Sequence, residues 1–262
     1  MDPKTMWGSG NYLAVAEKIA GVGEVVVERS GLEPGMEVLD VACGTGNATI
    51  PAARSGARVT GLDFSPALLS LARERAADAM VEVDWIEADA QELPFDDASF
   101  DRVISTFGHM FAPDHRRTAE EMLRVCRPGG AVAVACWTPA GAIGRMFGAI
   151  GELGPPPPPG AESPTLWGTE AHVRDLLGEA ACERREVEWR DSSVESYASF
   201  MLESFGPLVT ARKELAERAS ELDERYRAYL EAENLATDGT LLFRGEYLLA
   251  VARPGEATTG SR

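Results

Sequence analysis

The sequence predicts an α/β fold built on a doubly wound, mainly parallel sheet of seven strands. Short apolar segments with strand character alternate with segments of helical spacing along the first half of the chain. Strands separated in this way must be joined by crossovers, which make neighbouring strands parallel and cover both faces of the sheet. A second indication is VLDVACGTG at 38–46, where a glycine-rich turn follows the first predicted strand directly. In open parallel sheets such a turn lets a ligand approach the backbone.

Local signals set the limits of the elements in the first half. Residues 11–29 have helical spacing, and GLEPG at 31–35 predicts a turn. Ser65 and Pro66 indicate the N-cap and first turn of a helix, and RPGG at 127–130 indicates the end of a later one. The predicted strands are 37–41, 58–62, 81–87, 100–106 and 131–137, and the predicted helices between them are 47–55, 65–79 and 114–126.

The regular alternation ends after Pro139. PPPPPG at 155–160 predicts a stiff, extended segment, and the tail GEATTGSR is expected to be disordered. The last strand is expected to kink at Gly245. Helices are predicted at 169–180 and 194–233, and strands at 183–190 and 240–253.

Composition restricts the class of protein. The 262 residues are 45% hydrophobic and carry a net charge of −17, which disfavours an extended nucleic-acid surface and docking on anionic membranes. The four cysteines are widely spaced and no His/Asp/Glu set has ligand spacing, so neither disulfides nor a metal are expected. No secretory signal and no bilayer-length apolar run are visible. The expectation is a cytoplasmic monomer or homodimer.

Carboxylates at the ends of predicted strands indicate the ligand. Asp40 lies four positions before Gly44, where its charge would repel a pyrophosphate and attract an ammonium or sulfonium group. Asp63 ends the second strand and can accept hydrogen bonds from both hydroxyls of a ribose. Asp89, with Ala90, follows the third strand and could meet an adenine amino group. An ammonium, a ribose diol and an adenine without phosphates describe S-adenosylmethionine.

Four blocks in order, VLDVACGTG, GLDFS, EADAQELPFDDASFD and LRVCRPGG, resemble the class I S-adenosylmethionine-dependent methyltransferases. The chain is most similar to their methyltransferase type 11, or ubiquinone/menaquinone-biosynthesis-like, group over residues 38–137. The resemblance implies a Rossmann-like methyltransferase fold with an antiparallel last strand and a helical cap. It implies a single domain made of an N-terminal helical lid (1–35), a cofactor-binding core (36–138) and a remainder of the sheet with substrate-cap insertions (139–262).

The resemblance also implies roles for individual residues. Asp40, Gly44 and Gly46 would hold the methionine end of the cofactor, while Asp63 and Phe64 would hold the ribose and flank the adenine. The other implied cofactor-binding positions are Asp89 and Ala90 at the adenine edge, Thr106 and Phe107 under the sulfonium, and Tyr12 at the methionine carboxylate. Trp7 and Tyr12 fit the family's lid, or alternatively they only fasten the first helix to the core.

Several side chains are candidates for acid–base or nucleophilic chemistry. His109, in STFGHMF beyond the fourth strand, could act as a catalytic general base or line the acceptor pocket. His115 is expected to face solvent at a helix start. Cys43 is expected to be filler in the glycine turn, and Asp96 and Asp97 are expected to form a surface turn.

The methyl acceptor is expected to be a small, flat, apolar or aromatic molecule under the cap. Arg145 or Arg212 could pair with an acid group on it, although solvated charges are the simpler interpretation. The apolar cap candidates, which could equally be core, are Trp137, Met146, Phe147, Ile150, Tyr197, Phe200, Met201, Leu202 and Phe205.

The predicted function is methyl transfer to this acceptor by direct in-line displacement. A protein of the same fold that binds the cofactor without methylating, as a lyase or a binding module, stays open as an alternative. An NAD(P)-dependent oxidoreductase is disfavoured by Asp40 and by Thr49, which stands where a GxGxxG motif has its third glycine.

Overall fold

The computed structural model describes residues 3–151 and 160–255, and it folds them around one seven-stranded sheet. The predicted extended segment at 155–160 and the predicted disordered tail lie almost wholly outside these residues. The strands are β1 (Glu37–Val41), β2 (Arg58–Asp63), β3 (Asp84–Glu87), β4 (Phe100–Thr106), β5 (Cys126–Trp137), β6 (Ala180–Asp191) and β7 (Leu241–Ala252). The helices are α1 (Pro3–Trp7), α2 (Tyr12–Glu17), α3 (Ala20–Ser30), α4 (Thr49–Arg54), α5 (Pro66–Asp78), α6 (His115–Val125), α7 (Ala142–Gly151), α8 (Glu170–Leu177), α9 (Val194–Ser204), α10 (Gly206–Leu215) and α11 (Ala219–Glu233).

The strand order is β3-β2-β1-β4-β5-β7-β6, and β7 runs antiparallel to both of its neighbours. The other pairings from β3 to β5 are parallel. The predicted fold class is therefore confirmed, including the antiparallel last strand. Strand order reverses between β1 and β4, so a crevice opens beyond their carboxyl ends, which is where open α/β sheets bind ligands.

The central strands explain the apolar runs of the sequence. Every residue of β4 between Arg102 and Ser105 is buried, as is all of β5 from Gly130 onward. Strands covered on both faces cannot alternate between apolar and polar residues, so they read as continuous apolar segments. Within the described ranges, no helix is both long enough and apolar enough to cross a bilayer.

Several elements differ from their predicted limits. The third strand starts at Asp84 rather than 81, because Met80 takes a positive φ of 55° and Val81 N–H closes the end of α5 on Ala76 O. RPGG at 127–130 does not end a helix but forms an irregularity inside β5, whose pairing with β4 shifts register there. The helix predicted at 194–233 is three helices, and α7 is a helix that the sequence did not predict.

Gly245 does not kink β7, since the strand pairs with β6 without interruption and Gly245 lies opposite Val187. Glycine is required at this position because there is no room for a side chain. A Cβ placed on Gly245 would lie 2.4 Å from the ring of Trp189, which covers this point of the sheet. Trp189 stacks on Phe243 at 5.0 Å, so its ring has little room to move.

We expect Gly245→Ala to lower the free energy of unfolding by about 1–3 kcal/mol through overpacking against Trp189. The matched control is Gly148→Ala in the exposed part of α7, where nothing lies within 4 Å of a new Cβ. There alanine should raise stability by about 0.5–1 kcal/mol. Urea unfolding followed by circular dichroism measures both, and equal effects at the two positions would contradict the packing explanation.

Candidate active site

A cavity of about 610 Å³ opens beyond the carboxyl ends of β1, β2 and β4. Its volume lies within the range of about 300–1,000 Å³ that is usual for small-molecule sites. The predicted carboxylates Asp40, Asp63 and Asp89 all line it, and so do residues of the N-terminal segment such as Trp7. The fold therefore brings together side chains from three strand ends and from the start of the chain.

Asp40 is buried and only half satisfied. Its Oδ2 accepts a 2.5 Å hydrogen bond from the Thr49 hydroxyl, while its Oδ1 has no partner among the described residues. Burial, together with the charge of Asp63, raises the pKa of Asp40 to about 7. An unpaired buried carboxylate oxygen that lines a cavity is a site for a hydrogen-bond donor or a cation.

Asp63 organises the turn that follows β1. Its Oδ2 accepts a 2.8 Å hydrogen bond from Gly44 N–H, and its Oδ1 accepts a 2.9 Å bond from Ser65 N–H. Burial raises the pKa of Asp63 to about 6, against the lowering effect of these backbone donors. Each oxygen keeps a further lone pair, so the carboxylate can accept additional hydrogen bonds from a diol.

The two glycines of the turn have different roles. Gly44 has a φ of +57°, and nothing lies within 4 Å of the position of its absent Cβ, so a ligand can approach the backbone here. Gly46, predicted to hold the cofactor, lies outside the cavity lining. Its φ of +85° explains the glycine instead, because that left-handed conformation strains other residues.

Two residues that hold this site together escape the sequence analysis. Thr49, noted there only as a missing glycine, donates the hydrogen bond to Asp40. Arg75 reaches over from α5 and donates from Nη1 to Thr45 O at 2.5 Å and to Asn47 Oδ1 at 3.0 Å. Its position in a helix surrounded by other charged residues leaves no sequence signal for this contact.

Asp89 is exposed at the cavity mouth, where Gln91 orients its carboxylate. Gln91 N–H donates to Asp89 Oδ1 at 2.8 Å, and Gln91 Nε2 contacts both carboxylate oxygens. Gln91 Oε1 in turn accepts from Asp114 N–H. Ala90 and Phe64 also line the cavity, on either side of this edge.

The end of β4 provides the floor of the cavity with Thr106 and Phe107. Thr106 Oγ1 is buried without a partner among the described residues, which leaves it available to a ligand. Phe107 has a φ of +64°, and its ring stacks on Trp137 at 3.8 Å. The chain therefore turns sharply beneath the site, and Gly108 follows because a Cβ there would clash with Ala42 O.

Trp7 and Tyr12 join the N-terminal segment to the protein and also lie at the cavity, while their role as a lid over the cofactor stays a prediction. Trp7 lies edge-on to Tyr12, Phe111 and Phe205 at 4.8–6.0 Å, so it fastens the N-terminal segment to the body of the protein. Both rings also line the cavity. Burial and the charge of Asp63 raise the pKa of Tyr12, so its hydroxyl stays protonated and can donate at neutral pH.

His109 does not have the environment predicted for a catalytic general base. It is fully buried and does not line the cavity. Its Nδ1 contacts Ser105 Oγ at 2.9 Å, its Nε2 contacts Cys136 Sγ at 3.3 Å, and its ring meets Trp167 edge-on. Burial lowers the pKa of His109 to about 3. The side chain is therefore a satisfied core histidine.

The structure also places the remaining candidate residues, and the expectation for His115 is wrong. Arg145 pairs with Glu233 and Arg212 with Asp223, so neither guanidinium is directed at an acceptor. His115 is buried rather than solvent-facing, and its Nδ1 lies 3.0 Å from His172 Nε2. The apolar cap candidates from Trp137 to Phe205 pack in or against the core, and the cavity lining does not include them.

The sequence and the fold were both compared with those of known proteins. A family model described as a methyltransferase domain matches residues 38–130. A protein of Mycobacterium tuberculosis with no assigned function is 38% identical over 95% of this chain and 93% of its own length. A demethylmenaquinone methyltransferase of Renibacterium salmoninarum is 43% identical over 42% of this chain and 45% of its own length. The crystal structure of the YcgJ protein from Bacillus subtilis, 17% identical, superposes with a TM-score of 0.59 over 89% of this chain and 97% of that one.

The site also fits the cofactor that these proteins imply. The unpaired Asp40 oxygen suits an ammonium group, and the open space at Gly44 admits a ligand against the backbone. A phosphate would meet carboxylates instead of cations. The chain therefore carries a class I S-adenosylmethionine-dependent methyltransferase domain.

The raised pKa of Asp40 predicts a pH dependence of stability. Because the folded-state pKa of about 7 exceeds the ordinary value of 3.8, the folded state binds a proton more tightly than the unfolded chain. This contribution to stability is fully present below about pH 4 and is lost as pH rises through 7. Asp40→Asn removes the titration, so the ligand-free variant should be more stable than wild type at pH 8, by on the order of 1–3 kcal/mol. The difference should shrink steadily toward pH 5 in urea titrations, and a constant difference would contradict the assignment.

Proposed function

We propose that this methyltransferase acts on a small, apolar or aromatic metabolite bound in the cavity next to S-adenosylmethionine. The observation that carries the proposal is the two-sided character of the cavity. One side is formed by strand ends with Asp40, Asp63 and Asp89, and the other by Met6, Trp7 and neighbouring apolar groups. Such a division suits a polar, cationic nucleoside on one side and an apolar acceptor on the other.

On the polar side, we assign the methionine end of the cofactor to Asp40, the open backbone at Gly44 and the Tyr12 hydroxyl. The ribose belongs at Asp63, whose oxygens keep free lone pairs beside the bonds from Gly44 and Ser65. Asp89, held by Gln91, and Ala90 with Phe64 would meet the adenine. Thr106, with its unpaired hydroxyl, and Phe107 would then lie closest to the transferred methyl group.

The apolar side supports an acceptor without negative charge. Phe111, Pro113 and Pro164 line it together with Met6 and Trp7. Among the described residues of the lining, Lys4 is the one basic side chain, and it pairs with Glu87 at 2.9 Å. Several carboxylates would therefore repel an anionic acceptor, with little positive charge to offset the repulsion. A neutral or cationic acceptor would not be repelled.

The chain would contribute to the reaction mainly by aligning the acceptor with the methyl group of the cofactor for a direct in-line displacement. The cofactor, when bound, supplies a methyl group already activated by its sulfonium. Trp7 and Phe111 would exclude water and hold the acceptor against the strand ends, which lowers the entropic barrier to the reaction. No buried histidine is required in this scheme, which agrees with the position of His109 in the core.

The direct test uses S-adenosylmethionine with a labelled methyl group, the purified chain and a fractionated metabolite extract. We expect label in apolar, uncharged or cationic fractions, and Asp63→Ala should lower the transfer at subsaturating cofactor concentration. Label confined to strongly anionic products would overturn the proposed acceptor class. Binding of the cofactor with no labelled product in any fraction would favour the alternative of a non-methylating protein of this fold.

We expect Asp63→Ala to weaken cofactor binding by roughly 10- to 100-fold, because hydrogen bonds to a buried carboxylate are lost. Isothermal titration calorimetry with S-adenosylmethionine measures the change. The control is Asp97→Ala, whose carboxylate is mostly exposed and pairs with Arg124 on the surface. If Asp63→Ala bound the cofactor as tightly as the control, the assignment of Asp63 to the cofactor site would be wrong.

A further inference from the structure

Two of the three histidines of the chain meet a glutamate at the rim of the cavity. His115 starts α6, His172 lies in α8, and Glu162 belongs to the segment between α7 and α8 that lines the cavity. These residues are far apart in the sequence, which explains why ligand spacing along the chain does not reveal them. Their nearest nitrogen and oxygen atoms all lie within 4.8 Å of one another.

The distances match the edges of a metal coordination polyhedron. His115 Nδ1 lies 3.0 Å from His172 Nε2 and 3.7 Å from Glu162 Oε2, and His172 Nε2 lies 3.9 Å from Glu162 Oε1. Zinc bonds of about 2.0–2.1 Å in a tetrahedral site place neighbouring ligand atoms about 3.3 Å apart. The three observed distances bracket this value. The two distances to Glu162 involve different oxygens of its carboxylate, so a rotation of this side chain is needed to bring one oxygen to bonding distance together with the two histidine nitrogens.

Contacts outside the cluster already hold the three segments in place. Arg116 and Asp175 form a 2.6 Å ion pair between α6 and α8. Glu162 N–H donates to Pro113 O, which joins the rim segment to the residues before α6. Asp114 caps α6 through Arg117 N–H at 2.9 Å, which fixes the position of His115. The donors are thus brought together by the fold without any metal.

The three side chains of the cluster differ in their exposure to solvent. The His115 side chain has no exposed surface and packs beside Trp167, whereas His172 is 17% and Glu162 37% exposed. Two imidazoles and one carboxylate form a donor set that suits zinc. Three protein ligands leave a fourth coordination position open. Because Glu162 is partly exposed, we expect this position to lie on the side away from the core.

We propose that His115, Glu162 and His172 bind one zinc ion, which ties the rim segment of the cavity to α6 and α8. The site rests on these three side chains alone and shares only Glu162 with the lining of the cavity. Its role is structural: the ion holds Glu162, and with it the neighbouring lining residues Ala161 and Pro164, against the helices. Within the cluster, the direct hydrogen bond joins His115 Nδ1 and His172 Nε2.

The test uses the untagged full chain, since a histidine tag would itself bind metal. Zinc titration by calorimetry should show one equivalent bound, and cobalt(II), used as a spectroscopic probe, should give the intense visible bands of a tetrahedral site. His172→Ala and Glu162→Gln should each weaken zinc binding by at least about tenfold. Both changes are at partly exposed side chains, which avoids the folding defect expected for the buried His115.

The matched control is Glu170→Gln at the start of α8, where the partly exposed carboxylate pairs with Arg174 of the same helix and does not contact the cluster. It should keep wild-type zinc affinity. Zinc should raise the melting temperature of wild type and of this control, but not that of the double variant Glu162→Gln/His172→Ala. Absence of zinc binding to the wild type, or equal binding by the double variant, would overturn the proposal. These readouts do not depend on methyl transfer.

Discussion

Two carboxylates buried side by side at the ends of adjacent parallel strands are the constraint on which the rest of this structure depends. Asp40 pairs in register with Gly61 of β2, so Asp63 lies only two residues beyond it. Burial raises the pKa of both groups, and the charge of Asp63 adds to the effect on Asp40. Buried charges are tolerated only with hydrogen-bond donors. Thr49, Gly44 and Ser65 provide them, and one oxygen of Asp40 is left for a ligand.

The donors reach these carboxylates only because the turn after β1 has an unusual path. Ala42, Gly44 and Gly46 all take positive φ values. This path points Gly44 N–H at Asp63. It also places the start of α4 where the Thr49 hydroxyl reaches Asp40. Arg75 holds the outside of this turn. On the inside, Gly23 allows α3 to approach so closely that a Cβ would lie 2.2 Å from Asn47 O. The glycine turn is therefore a rigid support for the carboxylates, built by packing from two helices.

The apolar side of the cavity is built by other segments of the chain. The N-terminal residues around Trp7 and the rim around Glu162 close over the strand ends, while the expected cap helices instead build core. Apolar residues at helical spacing look the same in a pocket wall and in a core, because both positions bury them equally well. The histidines show the same limitation. His109 and His115 both pack around Trp167, where burial rather than chain position decides their protonation and partners.

Local periodicity and residues that end strands were enough to predict the parallel sheet, the limits of β1 and β4, and the acidic strand ends that face the cavity. Asp40, Asp63 and Asp89 could be identified since each directly ends or nearly ends a strand, and such ends converge in any sheet of this type. Features that depend on contacts between distant segments could be seen only in the folded protein. Arg75 bracing the turn, the pairing of Arg145 with Glu233, the burial of His109 and the meeting of His115, Glu162 and His172 have no local signature, because each is set by how helices pack and not by the residues beside it.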